Sequence, residues 1–295
     1  MSRVQRGALD SWIAGRFSGS PLPVAVLNAG NIPFVGLYDL LAVACTRHEY
    51  IGIVSSKSPQ LLPSFASTVA RFLPRLRVSF TDFNSALYRC EALIATGADT
   101  TLNQIVSAAG RAGVDPRRTL LRGTRISVAV LDGREGNDEL DGLARDTLLH
   151  EGRGCLNACI IFAPADQDWG PLLASMDRLR LRYPPHQSTV QTIRQEVRLH
   201  KATGQRYHER SGVLLVDGEP EPGRPGVVVW SRYSTLQDVE NWIDANAGRL
   251  QAVISSARIG LRTGPVGTCL PGEAQDPRLD WTPDRRDTIE FLVGI

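Results

Sequence analysis

The chain has 295 residues, 42% of them hydrophobic and 22% charged, with a formal net charge of +2. This is enough for one large core or two smaller domains, and a near-neutral balance gives no reason to expect a nucleic-acid partner. No apolar run reaches the roughly 18–20 residues needed to span a bilayer, and MSRVQRGALDSWIAGRF has no continuous signal-peptide core, so a cytoplasmic protein is expected. That first segment predicts a short amphipathic helix ending before SGSPLP. From residue 23 short apolar runs alternate with helical stretches. PVAVLNA predicts a strand, and PFVGLYDLLAVAC a largely apolar helix with Pro33 near its first turn, where a missing N–H is harmless. YIGIVSS is a second strand and SPQLLPSFASTVARFL a second helix; RLRVSF and EALIATG are further strands. Thr96-Gly97-Ala98-Asp99-Thr100 turns the last of these into a helix over TLNQIVSAAG. RISVAVLDG predicts a strand, and NDELDGLARDTLLHEG a helix that His150 ends, where a cation suits the helix dipole. CIIFAP (strand), WGPLLASMDRLRLR (helix) and STVQTIRQEVRLHKATG (helix) follow. VLLVDG and GVVVWSRY read as strands around EPEPGRP, then come the helix TLQDVENWIDANAG, the strand QAVIS and a polar tail. Strands alternating with helices give an α/β class with mainly parallel sheets, and a second α/β unit begins near residue 124.

Chemistry concentrates in HEGRGCLNACIIFAP, residues 150–164. The thiolate is the reactive form of cysteine, and the glycines flanking Cys155 let a substrate carbonyl approach the backbone beside it. The simpler alternative is an inert, packed thiol. Arg153 could lower the thiol pKa or meet a phosphate, though an exposed loop arginine is the plainer reading; Asn157 and Cys159 are expected to position the loop rather than react. Five cysteines, at 45, 90, 155, 159 and 269, form no metal or disulfide framework, and an odd count fits reduced thiols. No metal site is expected, and His186, His200 and His208 share no ligand spacing. In the first half, Asn31 precedes a helix as turn asparagines often do. Val54-Ser55-Ser56-Lys57 lies at a strand end, where open α/β sheets bind ligands. The usual GxGxxG dinucleotide fingerprint is missing.

Six segments, NAGNIPFVGLYDLL, GIVSSKSPQLLP, ALIATGADTT, ISVAVLDG, GRGCLN and LDWTPDRRDTIEFLVG, run in this order from about Pro23 to the C-terminus. Together they resemble the LuxC-type acyl-CoA reductases of the aldehyde dehydrogenase superfamily, which make aldehydes from activated fatty acids. The resemblance implies an aldehyde-dehydrogenase-like fold of two α/β domains. Residues 1–123 would bind a nicotinamide cofactor, on an N-terminal region shorter than most relatives carry, and residues 124–295 would carry the nucleophile and the tail. It implies Cys155 as that nucleophile and Asn31 as a side-chain amide donor to the oxyanion, with the Cys155 backbone N–H as the second donor. Such preorganised donors are worth about 3–4 kcal/mol. Cofactor contacts fall on Ser55, Ser56 and Lys57 and on Thr96 and Gly97. Many aldehyde dehydrogenases carry a lysine near Ile53 and a glutamate near Ser56 on the adenine ribose, and this chain has neither. Without that glutamate a 2′-phosphate is not repelled, and Lys57 would attract it, so NADPH is expected, with NADH as the alternative. Hydrolytic members place a glutamate before the strand matching ISVAVL, whereas RRTLLRGTR, residues 117–125, holds no carboxylate. An acyl-enzyme here should therefore exchange with a thiol rather than water.

The reading is NAD(P)H-dependent reduction of a fatty acyl thioester, on CoA or a carrier, to the aldehyde. The rivals are an acyltransferase using the same acyl-cysteine without reduction, and a non-catalytic partner of another acyl-processing enzyme. A homo-oligomer is compatible with each.

Overall fold

Strand segments that are apolar at nearly every position belong in parallel sheets covered on both faces, because neither face is left for water. The computed structural model describes residues 5–17, 19–210 and 212–295. It forms two units, one of Met1–Thr124 with Arg278–Ile295 and one of Arg125–Pro277.

In unit 1, helix α1 (Arg6–Ile13) precedes β1 (Pro23–Leu27), α2 (Leu37–Cys45), β2 (Glu49–Ile53) and α3 (Leu61–Ala70). Then follow β3 (Val78–Phe80), α4 (Phe83–Arg89), β4 (Ala92–Thr96), α5 (Asp99–Arg111) and β5 (Thr119–Arg122). The sheet order is β3-β2-β1-β4-β5, and every neighbouring pair is parallel. The chain builds outward from β1 on one side, then returns to its other side for β4. The carboxyl ends of β1 and β4 thus flank a topological switch point, where open α/β sheets leave a crevice for ligands. Val24 and Val26 pack with α2, α3 and the C-terminal helix Thr288–Val293 on one face, and Ala25, Ile51 and Leu93 with α4 and α5 on the other.

The C-terminal helix is tied down by polar contacts. Arg122, at the end of β5, donates to both Asp39 carboxylate oxygens at 2.8 and 2.9 Å and to Thr288 Oγ1 at 2.7 Å. The arginine and aspartate side chains are 5% and 7% exposed. His48 Nδ1 accepts the Leu22 N–H at 3.0 Å, which puts the ring proton on Nε2, 2.7 Å from the Leu292 carbonyl.

Unit 2 runs β6 (Ile126–Val130), α6 (Asn137–Leu148), β7 (Ala158–Pro164), α7 (Gly170–Arg182), α8 (Gln187–Thr203), β8 (Tyr207–Arg210) and β9 (Val213–Asp217). It continues through β10 (Val227–Tyr233), α9 (Leu236–Asn246), β11 (Leu250–Ser255) and β12 (Gly267–Cys269). Its sheet order is β12-β11-β6-β7-β10-β9-β8, parallel throughout except for the edge strand β8, which runs antiparallel to β9. Helices α6 and α7 cover one face over Ala129, Ile161 and Trp230, while α9 covers Val128, Ile160 and Val253 on the other. Among the described residues no helix is long and apolar enough to cross a membrane.

Three expectations need correcting. Helix α2 begins at Leu37, not around Pro33, because Phe34 takes a left-handed φ of 56° and its carbonyl accepts the Leu37 N–H in a turn. Phe34 then packs edge-on to Phe65 with ring centroids 6.0 Å apart. Helix α6 ends at Leu148, so His150 does not close it; His150 sits in a left-handed turn beyond. The segment Arg278–Ile295, assigned above to the second domain, packs with unit 1, drawn there by Ile289 and Leu292 and by the Arg122 bond to Thr288.

Arg122→Met should lower the unfolding free energy by about 3–5 kcal/mol, because it strands a buried Asp39 carboxylate. Adding Asp39→Leu should recover much of that loss. Denaturant titration of the two variants measures both effects.

Candidate functional site

A helix leaves its last carbonyls unpaired, and something must meet them where water is excluded. At the end of α6 that role falls to Asn157, 1% exposed, two residues past Cys155. Its Nδ2 donates to the carbonyls of Asp146 and Leu149, both at 2.9 Å, and its Oδ1 accepts the Gly154 N–H at 2.8 Å. Gly154 to Asn157 form a turn closed by the Asn157 N–H on the Gly154 carbonyl at 3.0 Å. Cys155 lies half-buried in that turn, just ahead of β7. Its own carbonyl accepts from Ser127 Oγ at 2.8 Å, so the peptide planes on both sides of the cysteine are pinned to buried groups.

The approach to this turn is strained. His150, Glu151 and Gly152 have φ of 54°, 62° and 68° in succession. The first two are positions where a Cβ crowds the backbone, at about 1–3 kcal/mol each. Glu151 is held there by the buried Arg180, whose Nη1 reaches its Oε1 at 3.0 Å and whose Nη2 reaches the Gly212 carbonyl at 3.0 Å. The His186 N–H donates to the second Glu151 oxygen at 3.3 Å. His186 itself caps α8, and Arg153, exposed, donates to Ser188 at 3.2 Å. His150 is exposed.

Two other cysteines of unit 2 sit in surroundings that suppress the thiolate. Burial pushes the Cys159 and Cys269 thiols up to about 12. The Cys159 thiol points at the Ser127 carbonyl, 3.6 Å away. Among the described residues no group of three or more His, Cys, Asp or Glu is placed to hold a metal. Asp146, whose carbonyl Asn157 caps, also receives the Gly272 and Gln275 N–H groups at 2.5 and 3.2 Å on its carboxylate. Burial raises its pKa to about 6.

In unit 1 the remaining candidates gather at the carboxyl ends of β1, β2 and β4, which are neighbours in the sheet. Asn31 is exposed in the bend after β1. Beside it Gly30 allows the loops after β1 and β2 to touch, since a Cβ there would lie 2.0 Å from Ser55 Oγ. Ser55 Oγ accepts the Lys57 N–H at 3.3 Å, and Ser56 and Lys57 are exposed. Across β1, Thr96 ends β4 and Gly97 follows it, and the space around the Gly97 Cα is open. Residues 28–36 and 54–62 enclose a narrow cleft between them. Sequence reasoning missed Asn28. Its Nδ2 bonds Tyr50 Oη at 2.9 Å and the Ile53 carbonyl at 3.3 Å, locking the ends of β1 and β2 together. Only the pairing partner Tyr50 would have flagged it, and that contact is nonlocal.

No family model and no curated protein matches the chain. Solved structures do. A lactaldehyde dehydrogenase matches with a TM-score of 0.64 at 13% identity, over 90% of this chain and 69% of that one. A methylmalonate-semialdehyde dehydrogenase of Oceanimonas doudoroffii gives 0.64 at 16% identity, over 84% and 62%. An indole-3-acetaldehyde dehydrogenase solved with NAD+ gives 0.63 at 13%, over 85% and 61%. The fold is aldehyde-dehydrogenase-like. The chain spans 61–69% of the length of these three structures.

Asn157→Ala should cost on the order of 3 kcal/mol, since it leaves two buried carbonyls and the Gly154 N–H unmet. Hydrogen exchange at Gly154 should accelerate with it, which a loss confined to a remote element would not produce. For Asp146 the folded pKa lies above the ordinary aspartate value of 3.8, so the native state holds a proton that the unfolded chain has released. Wild-type stability relative to Asp146→Asn should therefore rise as pH falls from about 6 to about 4, and be flat above that window. Urea titrations of both proteins across that range check the sign.

Proposed function

We propose that the chain is an NAD(P)H-dependent reductase of fatty acyl thioesters in which Cys155 is the nucleophile. The observation that carries this reading is the pinned turn around Cys155 on an aldehyde-dehydrogenase-like fold, beside Cys159 and Cys269, whose burial suppresses the thiolate. In this reading the Cys155 thiolate attacks the thioester carbonyl, forming a C–S bond. The oxyanion then collapses with loss of the CoA or carrier thiolate, which takes up a proton. Preorganised N–H groups at such an oxygen supply much of the rate. The Cys155 backbone N–H serves as one donor. The side-chain amide of Asn31 is assigned as the second on its sequence position.

Unit 1 is assigned the cofactor and unit 2 the acyl chemistry. The crevice of unit 1 fits a dinucleotide in three respects: the glycine end of β4 is open, α5 begins with no side-chain cap on its amides, and Lys57 is exposed without an ion pair among the described residues. Ser55, Ser56, Lys57, Thr96 and Gly97 would hold the group, and Lys57 favours the 2′-phosphate of NADPH over NADH. A bound nicotinamide would supply the hydride that takes the acyl-enzyme to aldehyde and frees the cysteine. Residues 117–125 offer no carboxylate to activate water, which keeps the acyl-enzyme for that fate.

An acyltransferase is the second reading. It is favoured by Ile53, buried where the resemblance expects a cofactor-binding lysine.

The test is NADPH oxidation with a series of acyl-CoAs, comparing wild type with Cys155→Ala and following acyl adducts by mass spectrometry. Acyl-dependent oxidation should fall by about 10³ or more in the variant, with the adduct lost. Asn31→Ala should lower kcat by about 10²–10³. An adduct on Cys155 without oxidation selects the transferase, and neither signal removes both readings.

A further inference from the structure

Backbone strain, a buried charge pair and an unmet donor coincide on one stretch of chain just ahead of Cys155. His150 and Glu151 hold φ of 54° and 62°, where a Cβ crowds the backbone. The Glu151 and Arg180 side chains are 18% and 2% exposed, and two charges so withdrawn from water seldom outdo an apolar pair of the same volume. Arg180 Nε is buried without a hydrogen-bond partner among the described residues, which is a further loss. Stability alone favours glycine at the strained positions and apolar side chains at the buried ones. An arrangement that is costly on three counts points to a role in position.

The bonds of Arg180 show what is positioned. From the last turn of α7 its Nη1 donates to Glu151 Oε1 at 3.0 Å and to the Tyr183 carbonyl at 3.4 Å, and its Nη2 donates to the Gly212 carbonyl at 3.0 Å. The other Glu151 oxygen accepts the His186 N–H at 3.3 Å. Glu151 is thereby fixed against the end of α7, the start of α8 and the residue before β9. That last anchor is itself held, since Gly212, at a φ of 80°, passes so close to Pro185 that a Cβ would lie 2.5 Å from its Cγ. Two residues beyond Glu151, the Arg153 N–H turns back to the His150 carbonyl at 3.2 Å. Asn157 holds the far side of the turn through the Gly154 N–H. The segment carrying Cys155 is thus gripped upstream by Arg180, through Glu151, and downstream by Asn157.

We infer that Arg180 is a positioning residue for Cys155, setting through Glu151 the direction in which the chain enters the nucleophile's turn. The inference rests on the reading of Cys155 as the nucleophile. With the approach fixed, the thiolate meets the acyl carbonyl from one direction, and the ordering is complete before the substrate arrives. Asn157 alone does not hold His150 and Glu151 in the left-handed region, where an L side chain is disfavoured. Packing and position are therefore separable roles. An apolar pair can replace the ions as packing, but it has no donors to orient the Glu151 backbone.

Urea unfolding, amide hydrogen exchange resolved at Arg153 and Gly154, and acyl-CoA-dependent NADPH oxidation test it in the full chain, with Arg180→Met, Arg180→Met/Glu151→Leu and His150→Gly. Arg180→Met should lower the unfolding midpoint by stranding the Glu151 carboxylate, and adding Glu151→Leu should restore most of it. Position should not return. In the double variant both amides should exchange about tenfold or more faster than in wild type, and kcat should stay about tenfold or more lower with KM within about twofold. His150→Gly changes an exposed side chain and removes crowding, so it should unfold no earlier than wild type yet repeat the faster Arg153 exchange and the lower kcat. It carries the comparison if the Arg180 variants misfold. Recovery of exchange and kcat together with the midpoint would overturn the inference, and so would a midpoint that Glu151→Leu does not restore. Faster exchange with an unchanged kcat also overturns it but leaves Cys155 as the nucleophile. Absence of any acyl adduct or oxidation in wild type instead removes the acyl reading, and the inference with it.

Discussion

The buried pair of Arg122 and Asp39 fixes the frame of unit 1. Two charges withdrawn from water are rarely stabilising on balance, and an apolar pair of the same volume would often do as well. What the ions add is position. Asp39 stands in the first turn of α2, directly downstream of the bend that carries Asn31. Arg122 closes β5, and Thr288 opens the C-terminal helix. One guanidinium with donors in a rigid fork therefore registers three separate stretches of chain against each other. A hydrophobic contact would hold them together without fixing their orientation. The His48 ring repeats the device, joining the Leu22 N–H to the Leu292 carbonyl.

Unit 2 solves a different problem, that of keeping a strained turn in place. His150 and Glu151 in left-handed conformation together cost about 2–6 kcal/mol. Against that stand a buried arginine on Glu151 and the three hydrogen bonds of Asn157 at 2.8–2.9 Å. Charge-assisted bonds contribute about 1.5–3 kcal/mol and neutral ones about 0.5–1.5. The sums are comparable, so the turn persists only because both clamps act at once. Backbone strain clusters at functional sites when the surroundings over-determine it, and here it falls within five residues of the candidate nucleophile.

The central strands were legible because burial on both faces leaves an unbroken apolar run, as in PVAVL, ALIAT and ACIIFAP. Their alternation with helices was enough for the α/β class. The fold boundaries that failed are those set by contacts distant in sequence. Nothing local in NIPFVG says that Phe34 turns left-handed to meet Phe65. The tail of polar residues after 277 reads as an appendage, since the Asp39 and Arg122 that anchor it lie more than 150 positions upstream. Elements such as β5 and β8 have four residues each, too short for a period to register. At the site the gap has the same origin. Cys155 and the strand-end residues are visible as residue types in turns, whereas Asn28 acquires its meaning only from Tyr50 and Ile53.

Parallel strands give a sheet two chemically unequal ends, and the two units use them differently. In unit 1 the candidate residues all follow strands, at the carboxyl ends beside the switch point, where backbone N–H groups of the succeeding turns face outward. In unit 2 the candidate cysteine precedes its strand, so the carboxyl end of β7 is left without that role. Near the carboxyl end of β10, Arg232 stands beside the exposed arginines of β8. Among the described residues β8 is the edge of the sheet, with no further strand beside it. Arginines there also oppose edge-to-edge pairing with another chain, since a like-charged strand would be repelled. The edge is thus protected by charge on the side that packing leaves open.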